Sequence, residues 1–107
     1  MDTATDMTPE GRVKAKIVTA LNKIGAYYFF PVANPYYGKR GVPDIIVCLP
    51  PKGAFMAIEC KAGKNVATEL QERNLRDINI CGGIAKTVSE KTIDELLMYL
   101  EQRLWLK

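Results

Sequence analysis

Asp44, Glu59 and Lys61 are the residues of this 107-residue chain whose types and spacing could do chemistry. They bracket the stretch from Gly41 to Lys61, which reads as two short strands joined by a tight turn. Ile45 to Leu49 is an apolar run of strand length, and Ala54 to Ile58 is another. Pro50-Pro51-Lys52-Gly53 between them is a strong turn signal. If those residues are the whole loop, the strands pair antiparallel with Leu49 opposite Ala54. Ile46 then faces Ala57, and Asp44 faces Glu59. Opposed side chains have Cβ atoms roughly 4.5–5.5 Å apart. Two ionised carboxylates that close repel each other, so keeping both charged calls for a cation between them.

Alternation along the strands sharpens this reading. Ile45, Val47, Leu49, Ala54, Met56 and Ile58 share one apolar face, which reads as core. Asp44, Glu59 and Lys61 share the other, beside Ile46, Cys48 and Ala57. A hard divalent ion such as Mg²⁺ takes oxygen ligands, often only one or two carboxylates, and leaves positions for water and substrate phosphate. Lys61 can reach the same substrate or an attacking water. Each residue alone also has an ordinary structural reading, Asp44 in a turn after Pro43 and Glu59 and Lys61 on a solvated strand edge. Their convergence on one face favours the chemical reading.

Pro43-Asp44 followed by Glu59-Cys60-Lys61 resembles the P-D…(D/E)-x-K signature of the PD-(D/E)xK nuclease superfamily. Gly41-Val42-Pro43-Asp44, Ile58-Glu59-Cys60-Lys61, then Gln71 on a helix and Gly82-Gly83 after it, resembles the virus-type replication–repair nuclease (VRR-NUC) domain within it. The resemblance spans Thr8 to Val88. It implies a restriction-endonuclease-like αβββαβ core. It also implies a Mg²⁺ or Mn²⁺ site on Asp44, Glu59 and the main-chain carbonyl of Cys60, with Lys61 and Gln71 completing the catalytic set. In several relatives an acidic residue on the first helix also touches the metal, a role open here to Glu10. Its alternative role is interaction with the helix dipole.

Charge and composition agree with a polyanionic substrate. The net charge is +3, but Gly11 to Lys64 carries +7, and its only acids are Asp44 and Glu59. Carboxylates set in basic surroundings suit a substrate whose phosphates must be brought to a metal. The chain has no histidine, which excludes Ser-His-Asp hydrolysis, His-metal nucleases and zinc proteases. Its three cysteines, Cys48, Cys60 and Cys81, form no Cys-x-x-Cys pair and read as buried free thiols. No apolar run is long enough to cross a bilayer. The polar, acidic start is unlike a signal peptide, so a cytoplasmic location is expected, including the host cytoplasm for a phage-encoded protein.

The remaining elements must position these groups. Thr8-Pro9 opens a helix with Val13, Ile17, Val18, Leu21 and Ile24 at helical spacing, and Gly25 closes it. Ala26 to Val32 is aromatic and reads as the first strand, covered on part of each side. Asn34 to Gly41 is a loop bearing Tyr36, Tyr37, Lys39 and Arg40. Rings that stack bases beside cations that hold phosphates suit a nucleic-acid surface, although an ordinary loop with buried tyrosines has the same composition. Lys64 joins this candidate DNA-binding set. Thr68 and Gln71 match a capping box, which gives Gln71 a structural role beside its implied place at the metal. Leu70, Leu75, Ile78 and Cys81 form the apolar stripe of that helix. Ile84 to Val88 is a short strand. Thr92 and Glu95 match a second capping box, before a helix with Leu96, Leu97, Leu100 and Leu104 on one face.

The expected fold is α/β, a mixed central sheet flanked by helices with a C-terminal helix added to the αβββαβ core. Residues 1–107 form one domain, with 1–7 a flexible tail. The expected function is a divalent-metal-dependent DNA endonuclease. The resemblance to small stand-alone members points to branched DNA such as four-way (Holliday) junctions, in repair or recombination, and paired junction cuts suggest a homodimer. A catalytically idle DNA-binding module of the same fold, or a nuclease for nicked, flap or single-stranded DNA, are the alternatives.

Overall fold

The chain opens with its longest helix, α1 (Pro9–Ile24). This computed structural model describes residues 8–32, 34 and 36–105; the expected tail over 1–7 lies outside them. The Thr8 hydroxyl accepts from Gly11 N–H, and Gly25 takes the left-handed conformation (φ 73°) that closes the helix. Val13, Ile17, Leu21 and Ile24 are buried, the spacing of one helical face.

Strand β1 is only Tyr27–Phe29, shorter than the aromatic run. Pro31 lacks a backbone N–H, so the ladder cannot continue through it. The outer face of β1 is also open: Tyr27 and Phe29 are exposed, where cover on both sides was expected. Tyr28 faces inward, and its hydroxyl donates to Asn22 of α1 at 2.8 Å.

Strands β2 (Ile45–Leu49) and β3 (Ala54–Cys60) form the expected hairpin. Leu49 pairs with Ala54 and Ile46 with Ala57, and Gly53 N–H donates to the Leu49 carbonyl across the turn. Helix α2 (Glu69–Ile80) then crosses to β4 (Ile84–Val88), which pairs parallel with β3. The sheet is mixed, in the order β1-β2-β3-β4. Helix α3 (Ile93–Glu101) and a 3₁₀ turn (Gln102–Trp105) complete the described chain. The second capping box does not form. Thr92 makes no side-chain cap bond at α3, because its hydroxyl accepts from Ser89 N–H instead.

The two sheet faces are covered unequally. One packs Ile45, Val47, Leu49, Met56 and Ile58 against α1 and α3, burying Ile17, Leu21 and Leu100 with them. The other carries α2 over Ala57 and Ala85, through Leu75. Small alanines let the helix approach closely. The apolar stripe of α2 is narrower than expected: Leu75 is buried, but Leu70 and Cys81 are exposed. No helix of the described residues is long and apolar enough to cross a membrane.

Candidate active site

Two of the expected acidic residues reach one place by different routes. Glu59 is the penultimate residue of β3 and points to the α2 side of the sheet. It is a carboxylate only 2% exposed. Asp44 stands one residue before β2, so it belongs to no ladder pair. Its Oδ2 instead accepts from the Cys60 N–H at 2.7 Å, which ties the start of one strand to the end of its neighbour. The near-opposition expected from the register is thus achieved by a side-chain bond to main chain rather than by strand pairing.

Around Glu59 one oxygen is fully engaged and the other is not. Oε2 lies 3.2 Å from Lys61 Nζ and accepts from Gln71 Nε2 at 3.0 Å. Oε1 is buried with no hydrogen-bond partner. A buried carboxylate oxygen without a partner is costly and rare. Burial, then the neighbouring Asp44, push the Glu59 pKa up, against the lowering effect of Lys61. The Lys61 side chain is itself largely enclosed, at 15% exposed.

Gln71 performs both of the roles open to it. Its Oε1 accepts from Thr68 N–H at 2.8 Å, and its own N–H donates to the Thr68 hydroxyl. The capping box therefore uses the amide oxygen and leaves the amide nitrogen to face Glu59. The cap fixes which way the amide points, and the helix start becomes a positioning device for a carboxylate.

Glu10 is exposed on the first turn of α1 and close enough to act electrostatically on Glu59 and Cys60. Among the described residues, however, no three His, Cys, Asp or Glu side chains converge as a metal cluster. The acidic set is thus two carboxylates rather than three. Cys60 is buried and its thiol is pushed up to about 12, so it stays protonated. Cys48 and Cys81 are exposed, which corrects the expectation of three buried thiols. Cys48 faces the open half of the sheet, and Cys81 caps α2 at its solvent end.

The loop before Asp44 is exposed through Tyr36, Tyr37, Lys39 and Arg40, and so is Lys64. Buried tyrosines, one of the two readings of that loop, are ruled out. Two residues that the sequence did not single out bear on the site. Asn74 is buried on α2, and its Nδ2 donates to the Arg40 carbonyl at 3.0 Å as well as to Leu70. Opposite it Gly41 has φ +70°, and a Cβ there would meet Leu70 Cγ at 2.7 Å. The basic loop is thereby clamped to the same helix turn that carries Gln71. A polar residue one turn after Gln71 was the available signal. Lys14, one turn after Glu10, lies near enough to Cys60 to oppose the rise of its pKa.

No protein-family model matches the chain, and no curated protein matches it. Among solved structures it is similar to one described as a VRR_NUC domain. The identity is 27%, the TM-score 0.67, and the alignment covers 86% of this chain and 97% of that one. The similarity extends over both sheet faces and all the elements that carry Asp44, Glu59, Lys61 and Gln71. The mixed four-stranded sheet with its three helices is a VRR_NUC-like α/β core, and the match points to a nuclease domain.

Proposed function

We propose that the protein is a divalent-metal-dependent DNA endonuclease, its whole chain one nuclease domain. The observation that carries this is the buried Glu59 carboxylate, with Lys61 and Gln71 on one oxygen, Asp44 beside it and the other oxygen unpartnered. That oxygen and the repulsion from Asp44 are what a bound cation would relieve. Asp44, Glu59 and the Cys60 carbonyl are the groups that would hold Mg²⁺ or Mn²⁺. All are oxygen donors, as a hard ion needs. Such an ion supplies Lewis acidity to the scissile phosphate and lowers the pKa of a bound water.

The chain's own residues do the rest. Lys61 places a positive charge where hydroxide attacks and negative charge grows on phosphorus. Gln71 holds Glu59 in one orientation, and its own orientation is set by the cap. Water adds to phosphorus, the bond to the 3′ oxygen breaks, and a 5′-phosphate and a 3′-hydroxyl result. Tyr36, Tyr37, Lys39, Arg40 and Lys64 bind the DNA around the site. Branched DNA is the preferred form, four-way junctions first, and a two-fold homodimer supplies the paired cuts. The exposed Met98 and Trp105 near the end of α3 offer apolar surface for that assembly; Leu106 lies outside the described residues.

The test is incubation of the purified protein with labelled linear duplex, flap and four-way junction DNA, in Mg²⁺, Mn²⁺ or EDTA. Cleavage with metal and none with EDTA is expected, fastest on the junction. Tight binding with no cleavage under any metal would show an idle DNA-binding module instead.

A further inference from the structure

The sheet face that carries Glu59 is only half covered. α2 lies over Ala57 and Ala85. Beyond it Tyr27, Phe29, Cys48 and Phe55 face solvent. Tyr27 is 69% exposed, Phe29 48% and Phe55 47%. The register makes them one surface: Tyr27 pairs with Cys48 and Cys48 with Phe55, while Phe29 pairs with Ile46 and Ile46 with Ala57. The Tyr27 and Phe29 rings lie 6.5 Å apart at 58°, and neither is covered by another element. Exposed apolar surface of this kind marks an interaction site.

Charge and continuity identify the occupant. Where this face meets α2 there is a cavity of about 350 Å³, lined by Phe55, Lys39, Asn74, Asp77 and Ile78 among others. A cation therefore stands beside the aromatic ring, with a carboxylate acceptor nearby. The segment from Gly11 to Lys64, which supplies β1, β2, β3 and Lys39, carries a net charge of +7. Phe55 and Glu59 lie on the same face of β3, about 13 Å apart by strand rise. A ligand with flat apolar rings and negative charge between them matches all of this. A second protein surface would have to bury Lys39 and Asp77 against itself.

We propose that this face is a stacking platform for unpaired nucleotides of the nucleic-acid substrate. Bases stack on Phe55, Tyr27 and Phe29, Lys39 pairs with a phosphate, and the strand runs along β3 towards Glu59. Asp77 is placed to accept from a base amino group. Stacking on exposed rings tolerates any sequence, because every base has a π face. The inference rests on the nuclease reading for its direction along β3, but its binding test does not depend on cleavage.

The experiment is fluorescence anisotropy in EDTA with a short labelled oligothymidine and with a blunt duplex of matched length. Phe55→Leu and Tyr27→Leu should each weaken oligothymidine binding at least about fivefold and leave duplex binding within about twofold. Phe55→Trp should restore it. Both positions are largely exposed, and melting curves check that each variant is folded. Equal losses on the two probes, or none on oligothymidine, would overturn the platform. So would a wild-type dimer in sedimentation that Phe55→Leu dissociates, since the face would then belong to a second copy. Cleavage activity with oligothymidine binding unchanged in the variants removes the platform alone. The expected binding losses in a protein that cuts no DNA under any metal remove the nuclease reading alone.

Discussion

Glu59 is held at a cost to the fold. Burial and Asp44 raise its pKa, and these effects outweigh Lys61. A carboxyl whose folded pKa lies above its unfolded value stabilises the protein below the unfolded pKa. That contribution is lost as pH rises through the folded one. Stability of the metal-free protein should therefore fall as pH climbs from about 4.5 and level off above the raised value. Glu59→Gln should abolish cleavage, flatten that slope and raise the neutral-pH melting temperature. Thermal melts from pH 4 to pH 8, about the range over which shifted carboxylates titrate, check it; an unchanged slope would mean Glu59 is not the group responsible. Gln71 permits a cleaner separation of roles. Gln71→Ala should cost about 1 kcal/mol through the lost cap and reduce cleavage as well. Gln71→Glu should keep the cap, since a carboxylate also accepts from Thr68 N–H, and should still lose cleavage by repelling Glu59. Melting and cleavage measured side by side distinguish the two.

At the scale of elements, α2 joins two parts of the site. Its first turn holds Gln71 against Glu59, and Asn74 a turn later holds the basic loop by the Arg40 carbonyl. Asn74→Ala leaves that buried carbonyl without its donor. It should cost about 1–3 kcal/mol and weaken DNA binding without touching phosphate directly. Gly41→Ala should be worse than its size suggests. The added Cβ meets Leu70 at 2.7 Å, and the backbone has φ +70°, a conformation that costs an L-residue about 1–2 kcal/mol. Denaturant melts give the stability terms, and anisotropy with duplex DNA gives the binding term. Full affinity in a folded Asn74→Ala protein would separate the loop from DNA recognition.

For the molecule as a whole, the basic segment should dominate how affinity responds to salt. Replacing both Lys39 and Arg40 by alanine removes two phosphate contacts, and each should reduce the slope of log K against log salt by about 0.9. A titration over a range of salt concentrations measures it, and an unchanged slope would place the loop off the DNA. The hairpin and its register, the long first helix, the cap at Thr68 and the alternation of strands and helices were all legible in the sequence, because each is specified by local signals: turn residues, caps and apolar period. The solved VRR_NUC neighbour has the same architecture at 27% identity, as expected if pattern rather than exact sequence carries the fold.

The sequence by itself determined which residues carry the acidic pair, its lysine and its glutamine, since motif spacing and charge placement are properties of the chain. It also determined which face of the hairpin is core, through strand alternation. Only the tertiary structure decided how the pieces meet. Asp44 reaches across to Cys60 N–H, Asn74 clamps the loop, and the Gln71 amide is turned by its cap towards Glu59. It also decided that Thr92 forms no capping box, that two of the three cysteines are exposed and that half of one sheet face lies open. These depend on contacts between residues distant along the chain. Burial and hydrogen-bond competition are settled only when helices and sheet have packed, and no local pattern encodes which side of a strand its neighbours will leave uncovered.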